Sequence, residues 1–368
     1  MRAIFLTSLL LLTVVSGALA QHADSRYVLS HTGKDQVEVT LHMQPLEQDS
    51  TLFHYGMVEF GGQADLFKAV TGIRGEHVTG IRIDEQAHSI TVHHRARKPF
   101  TLHYVITDTH TPAMSVRGES FRPLISPQYF FSHGINLFLV PAFREKGLVS
   151  TMSIAWDRPF PFPLFYGYDP AHGGGKLVVP CTEAFLFSPI TGAVDMTVDT
   201  LHTGKAVNYI VLRDYPGNPM TRQVVSTYFR RFHATIKEYW QDTSADHFSL
   251  ILHPFLAANN NISGVAYNTG FVGRYKRDTT FNMDQVFVLS HEIGHHWLGG
   301  GLSISMNDQW FGEGFNDYVS FSVLLSSGLI TQQQFVEKMN EAFKKLYASP
   351  VRNMPNDSVF ANYWKMGD

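Results

Sequence analysis

The chain has 368 residues, of which 44% are hydrophobic and 17% charged, so its composition is that of a folded globular protein and argues against disorder. The formal net charge at pH 7 is −3, without the broad basic field that suits nucleic acid or an anionic membrane, and neither is expected as a partner. Cys181 is the single cysteine, which excludes an intrachain disulfide and a zinc site built from thiolates.

Residues 1–20 have the features of a secretory signal peptide. Arg2 precedes an apolar run over residues 3–15, and small residues at Ala18 and Ala20 precede Gln21. We expect cleavage after Ala20 and a secreted or periplasmic protein without a membrane span in its mature chain. The residue directly after the cleavage site is Gln21 rather than a cysteine, so no lipid anchor is expected there. An uncleaved membrane anchor is the alternative.

Residues 21–208 are predicted to form an N-terminal domain of antiparallel β-sheet. Apolar and polar residues alternate there with the period of two that a half-buried strand requires. The clearest runs are QVEVTLHM (36–43), SITVHHRA (89–96), FTLHYVIT (100–107) and AVDMTVDTL (193–201). The aromatic, proline-rich segment Trp156–Pro170 either lines a ligand site or packs against the next domain.

Residues 209–368 are predicted to form a second domain, because the apolar period changes to about 3.6 and indicates helices. A helix is expected over residues 221–240 and strands over 248–255 and 264–275. A helix with Asp284 as its cap and a stop at glycines 299–301 should follow, and then helices over 307–326 and 331–347. The predicted fold class is therefore α+β.

The stretch VLSHEIGHHWLGG contains the pattern H-E-x-x-H at His291, Glu292 and His295. Positions i and i+4 share one helix face, so both imidazoles can bind one ion while Glu292 faces the open coordination position. With 19 histidines in the chain, chance alone produces such a pattern at an appreciable rate. A third ligand is therefore needed to identify a zinc site.

Glu313 is the candidate for this third ligand. Seventeen residues separate it from His295, which is enough for one helix to end and a second to return alongside. His₂Glu leaves one position open, as a catalytic zinc ion requires, and we expect one Zn²⁺ per chain. Asp317, one helical turn further on, is predicted to accept the second N–H of a ligand histidine. A solvated helix face is the alternative for both carboxylates.

Together, HEIGHHWLG and WFGEGFNDY resemble the paired helices of gluzincin metallopeptidases of the aminopeptidase N and glycyl aminopeptidase types. Those families read H-E-x-x-H-x-W followed by W-x-x-E-G-F-x-x-Y. The resemblance implies that the β domain is followed by a thermolysin-like zincin catalytic domain with a mainly helical C-terminal part. It also implies that this domain continues beyond the end of the present sequence.

The resemblance further implies a substrate-binding strand before the zinc helix, where these families have G-x-M-E-N. The corresponding residues here are Gly264, Val265, Ala266, Tyr267 and Asn268. Tyr267 replaces the glutamate that binds the free α-amine, so peptide hydrolysis is implied more firmly than strict aminopeptidase action. Backbone pairing with an extended peptide does not need that glutamate. An edge strand without specific contacts is the alternative.

The family's tyrosine that donates a hydrogen bond to the developing oxyanion stands in Y-x-K-G or Y-x-R-G, and the candidate here is Tyr363, in Y-x-K-x-G and closer to Glu313 than usual. A tyrosine beyond the end of the present sequence is the alternative. The expected function is a secreted zinc metallopeptidase of aminopeptidase-like type, acting on a peptide or protein through zinc-activated water with Glu292 as general base. A catalytically silent, zinc-bearing module that binds a peptide or protein is the alternative, favoured by Tyr267 but not by Glu292. A hydrolase of another amide is a third interpretation.

Overall fold

A computed structural model describes residues 23–45, 48–57, 65–110, 122–142, 150–218, 220–255, 262–277, 281–299, 302, 309–355 and 358. The predicted signal peptide and Tyr363 lie outside the described residues.

The N-terminal region, residues 23–193, consists mainly of strands, as its period of two predicts. In β2 the buried residues are every second one, so one face meets the core and the other meets solvent. The strands are β1 (Ala23–His31), β2 (Gln36–Met43), β3 (Ser50–His54), β4 (Val70–Glu76), β5 (Val78–Asp84), β6 (Ser89–His94), β7 (Phe100–Thr107), β8 (Leu124–Ile125), β9 (Tyr129–His133), β10 (Val140–Pro141), β11 (Ser150–Arg158), β12 (Phe165–Tyr166), β13 (Leu177–Pro180) and β14 (Pro189–Ala193). Two short 3₁₀ turns, Leu66–Ala69 and Gly134–Asn136, and the short helix α1 (Glu183–Leu186) interrupt them.

These strands form three sheets, ordered β13-β11-β1-β2-β7-β4, β10-β3-β6-β5 and β12-β14-β9-β8. Every pairing in them is antiparallel except that of β1 with β11, which is parallel. One core, running from Tyr27 to Ile190, fills the space between them. The antiparallel β region expected from the sequence is therefore present.

The C-terminal region begins with a hairpin of β15 (Met196–Thr203) and β16 (Ala206–Arg213). Parallel pairing joins β16 to β17 (Ser249–Phe255) and β17 to β19 (Gly270–Lys276), and β18 (Ser263–Tyr267) lies antiparallel to β19 at the edge. The boundary expected after residue 208 falls inside β16, and the sheet places residues from Met196 onward in the second region. Apolar and polar residues alternate in the same way whichever sheet a hairpin joins, so periodicity could not locate the boundary between the two regions.

The helices of this region are α2 (Arg222–Tyr239), α3 (Met283–Gly294), α4 (Gln309–Ser326) and α5 (Gln332–Ala348). Helices α2 and α3 lie against the five-stranded sheet, and α4 packs on both of them, within a core that runs from Leu201 to Ile330. The α+β class is confirmed. No helix among the described residues combines the length and apolar composition needed to cross a bilayer.

The opposite face of the five-stranded sheet packs against the N-terminal region. Val211, Ile251 and Val272 of the sheet meet Phe131 and Phe165 in a small buried cluster. Phe165 belongs to the aromatic segment Trp156–Pro170, so packing against the next region accounts for that residue. The same cluster fixes the two regions relative to each other.

Candidate metal centre

Helix α3 presents the histidine pair on its last turn. Asn282, rather than the expected Asp284, caps its start: the Asn282 side chain accepts from the backbone N–H groups of Asp284 and Gln285, and Gln285 reciprocates. His291 and Glu292 lie within the helix, and His295 is its C-cap. Both histidines keep helical backbone angles, so the i, i+4 spacing brings their rings together, with centroids 4.6 Å apart.

Helix α4 brings Glu313 to the same place, because side chains of α4 bond directly to the backbone of α3. The Asn316 amide donates to the carbonyl of His291 over 2.7 Å, and Ser320 Oγ donates to the carbonyl of Ser290 over 3.0 Å. A Cβ on Gly294 would lie 2.1 Å from Asn316 Oδ1. Gly294 therefore makes room for the close approach of α4.

Three potential ligand atoms converge between the helices. His291 Nε2 lies 3.0 Å from His295 Nε2 and 3.0 Å from Glu313 Oε2, and His295 Nε2 lies 3.6 Å from Glu313 Oε2. Tetrahedral zinc with bonds of about 2.0–2.1 Å would separate its ligand atoms by roughly 3.3 Å. The three predicted ligands, His291, His295 and Glu313, thus have the spacing that one zinc ion requires.

The outer ring nitrogens of both histidines have acceptors. His291 Nδ1 lies 2.8 Å from Asp317 Oδ1, and His295 Nδ1 lies 3.0 Å from the carbonyl oxygen of Leu298. With Nδ1 donating in each ring, a neutral imidazole directs a lone pair from Nε2 toward the other Nε2 and toward Glu313. Such an arrangement is repulsive unless a cation lies at its centre, so these residues fit a bound metal ion.

The ionisation of the three groups agrees with this demand for positive charge. Burial lowers the pKa of both histidines, but hydrogen bonds with carboxylates outweigh burial: Asp317 and Glu313 raise the pKa of His291 to about 10, and Glu313 raises that of His295. Hydrogen bonds with the two histidines hold the pKa of Glu313 below its usual range. The three groups therefore favour positive charge at the centre of the cluster, which either protons or a metal ion can supply.

Glu292 stands beside this cluster without joining it. Burial raises the pKa of its carboxyl group, and the charges of His291 and His295 oppose that shift. A carboxyl group with a raised pKa next to a metal site is suited to accept a proton and release it again.

Two cavities flank the cluster. The first, of about 390 Å³, is lined by His295 and His296, by β18 and the following turn from Val265 to Asn268, and by Glu183 of α1. The second, of about 340 Å³, is lined by His291, Glu292 and Asp317 together with residues of α5. His295 and His291, two of the potential ligands, thus each border one of two open spaces.

Four of the five predicted substrate-binding residues line the first cavity. Val265, Ala266, Tyr267 and Asn268 line the first cavity, whereas Gly264 does not: a Cβ there would lie 2.0 Å from the carbonyl of Val272. The Tyr267 ring is buried against Phe131 and Phe165, and its hydroxyl donates to the carbonyl of Ser249 over 3.4 Å. The phenol therefore packs between the two regions. The backbone of β18 lies at the edge of the five-stranded sheet.

Two polar groups in the first cavity were not predicted as site residues. Glu183 begins α1 after the cap Thr182, and its exposed carboxylate comes from the N-terminal region, which no motif linked to the histidines. His296 hydrogen bonds to the backbone of Asn268, so it connects the end of the histidine helix to the turn after β18. Only the three-dimensional structure brings these residues to the site.

Comparisons with known proteins agree with this architecture. No family model matches the chain. A segment of 39 residues, 10% of this chain, is 49% identical to 4% of aminopeptidase Q from Acinonyx jubatus and from Felis catus. The chain thus matches only a small part of these curated relatives.

Among solved structures, an aminopeptidase N family protein from Idiomarina loihiensis superposes with a TM-score of 0.66 and 14% identity, over 85% of this chain and 56% of that one. An M1 zinc metallopeptidase from Deinococcus radiodurans, bound to a Tyr-Ser-Ala substrate, superposes with a TM-score of 0.52 and 14% identity, over 93% and 78%. The chain spans about half the length of the first. The resemblance to the aminopeptidase N type drawn from the two motifs is confirmed at the level of the fold.

Proposed function

We propose that this chain is a secreted or periplasmic zinc metallopeptidase of aminopeptidase-like type, with a thermolysin-like catalytic domain. The observation that carries the proposal is the convergence of His291 Nε2, His295 Nε2 and Glu313 Oε2, whose lone pairs face one another while the outer ring nitrogens are held by Asp317 and Leu298. The neighbouring Glu292 and the two flanking cavities distinguish this cluster from a closed structural site.

A zinc ion in this position would lower the pKa of a water molecule and polarise the scissile carbonyl. Glu292 takes a proton from the attacking water and gives it to the leaving amine, for which its raised pKa is suited. Asp317 and the Leu298 carbonyl keep His291 and His295 in the tautomer with Nε2 facing inward. Tyr363 stays a prediction as the oxyanion donor.

We assign the part of the substrate that precedes the cleaved bond to the first cavity. Among the described strands, β18 is the last of the five-stranded sheet, so its outer backbone can pair with an extended peptide. Tyr267 carries no charge for a free α-amine, since burial raises the pKa of its phenol. The Glu183 carboxylate, which lines the same cavity, provides the negative charge that the strand lacks.

The test compares wild type with Glu292→Gln, using zinc content and turnover of one peptide with either a free or an acetylated N-terminus. The variant should retain zinc and lose turnover by about 10²- to 10⁴-fold, because general acid–base transfer is removed. Asp284→Asn, at the exposed start of the same helix, serves as the control.

Full activity of zinc-loaded Glu292→Gln would refute the proposed base. Cleavage of the free-amine peptide alone supports aminopeptidase action with Glu183 as the amine-binding group. Cleavage of neither peptide by zinc-loaded wild type would favour a silent binding module instead.

A further inference from the structure

The second cavity has a wall of a different chemical character from the first. Its floor contains His291, Glu292 and Asp317, and its wall contains Lys338 and Lys345 of α5. These lysines are seven residues apart, two helical turns, so both lie on the face of α5 that borders the cavity. Glu341 lines the same wall, and the floor carries the carboxylates of Glu292 and Asp317, so the two ammonium groups make the α5 wall the positive part of the cavity.

The two lysines differ in their partners. Lys338 Nζ lies 3.2 Å from Glu341 Oε2 and 5.0 Å from the centre of the Phe287 ring, and both contacts hold the Lys338 side chain at the cavity wall. Within the described part of the chain, Lys345 makes no ion pair. The Glu341 carboxylate balances one ammonium group, so the α5 wall keeps one net positive charge.

The position of Glu292 identifies the part of a substrate that this cavity receives. A base that returns its proton to the leaving amine must lie within hydrogen-bond reach of that nitrogen. Glu292 lines the second cavity, whereas β18 and Glu183 line the first. The residues that follow the cleaved bond therefore enter the second cavity, next to Lys338 and Lys345.

We propose that this cavity binds a carboxylate on the leaving side of the cleaved bond through Lys345 and Lys338. Because the lysines line the same cavity as Glu292, the substrate class is then short peptides that carry a negative charge within about two residues after that bond. A C-terminal carboxylate and an acidic side chain are the two sources of such a charge. The inference rests on the proposed peptidase function of the same site.

The experiment measures kcat/KM of zinc-loaded protein on four peptides: Leu-Ala-Ala, its C-terminal amide, Leu-Asp-Ala amide and Leu-Asn-Ala amide. Wild type should prefer the free acid over its amide by about fivefold, the effect of one exposed ion pair. A preference for the Asp peptide over the Asn peptide would instead identify a side-chain carboxylate as the source. Added salt should reduce either preference, because the lysines face solvent.

Lys345→Gln should bring the acid-to-amide ratio close to one, and Lys345→Arg should preserve it because the charge remains. Lys344→Gln is the matched control, since Lys344 lies on the same helix but not on the cavity. Equal cleavage of charged and neutral peptides by wild type, or an unchanged ratio in Lys345→Gln, would overturn the inference and leave the peptidase function intact. Absence of all cleavage would overturn both.

Discussion

Asp317 determines the direction in which His291 presents its ligand nitrogen. Its carboxylate lies 2.8 Å from His291 Nδ1 and is the largest of the contacts that raise the pKa of that ring against burial. A carboxylate behind a ligand imidazole fixes the tautomer and makes the opposite nitrogen a stronger donor to metal. The zinc affinity of this site should therefore depend on a residue that does not touch the ion.

Replacing Asp317 with Ala should lower zinc affinity by about 10- to 100-fold, because His291 loses its orienting acceptor. Competition with a chromophoric chelator measures the dissociation constant directly. Asp284→Ala removes a carboxylate from the exposed start of the neighbouring helix and should leave the constant unchanged. Identical constants for wild type and Asp317→Ala would show that the Asp317 contact has no role in metal binding.

At the scale of residues, sequence spacing predicted the side-chain contacts that lie within one helix or between two adjacent helices. The i, i+4 spacing of His291 and His295 follows from helical geometry. Glu313 was predicted from a second helix that returns beside the first, and Asp317 lies one helical turn after it. The carbonyl of Leu298 could not be predicted, because every residue has a carbonyl and only the path of the chain selects this one. Glu183 was missed because it belongs to the other region.

At the scale of elements, the site depends on how closely α3 and α4 approach. Gly294 lies at their contact, where a Cβ would meet Asn316 Oδ1 at 2.1 Å and Ser320 Oγ at 2.7 Å. Asn316 is buried and its amide bonds to the carbonyl of His291, so it cannot turn away without breaking that bond. A methyl group at this position must push the helices apart.

We expect Gly294→Ala to lower the free energy of unfolding by roughly 1–3 kcal/mol through overpacking, and to weaken zinc binding as Glu313 moves away. Urea unfolding and chelator competition measure the two effects. Gly314→Ala is the matched control, because Gly314 is also helical but, among the described residues, no atom from outside its own helical turn lies within 4 Å of the position that a Cβ would take there. It should gain up to about 1 kcal/mol from helix propensity. Equal stabilities of the two variants would contradict the packing argument.

Secondary-structure elements were predicted best where the apolar period continues over many residues. Helices α4 and α5 begin and end within two residues of the expected bounds. The run from Gly264 to Tyr275, expected as one strand, is the hairpin of β18 and β19 with its turn at Asn268 and Thr269. Apolar residues occur on both sides of that turn, so no change of pattern marked the reversal.

At the scale of the whole molecule, the interface between the two regions contains a buried histidine. His253 on β17 packs edge-on against Tyr129 and Phe131 of β9, and neither of its ring nitrogens has a hydrogen-bond partner among the described residues. Burial lowers its pKa well below the usual value, and the positive charges of Arg274 and Arg213 lower it further. The folded protein therefore keeps this ring neutral.

The pH dependence follows from that shift. Stability from the neutral ring is complete above the ordinary histidine pKa of about 6.5 and is lost as pH falls toward the lower folded value. His253→Phe should raise the free energy of unfolding by about 1–3 kcal/mol, because an unsatisfied polar ring is replaced by an apolar one. It should also flatten the decline below that pH.

Thermal unfolding at several pH values on both sides of the ordinary histidine pKa, about 6.5, measures both changes. His247→Phe is the control from the same interface, because His247 Nε2 has a partner in the carbonyl of Gly167 and its loss should not stabilise. A His253→Phe protein with wild-type stability and an unchanged pH profile would contradict the prediction.

The two proposed ligand histidines also differ in how a mutation can remove their hydrogen-bond partners. The partner of His291 is a side chain, and a single codon change at Asp317 can remove it. The partner of His295 is the main-chain carbonyl of Leu298, which every amino acid at that position would supply. Its location depends instead on the following Gly299, whose φ of 116° few other residues adopt. In a lineage of such proteins, the buried Leu298 side chain is then constrained only as a core residue, while Gly299 carries the hereditary constraint on the carbonyl.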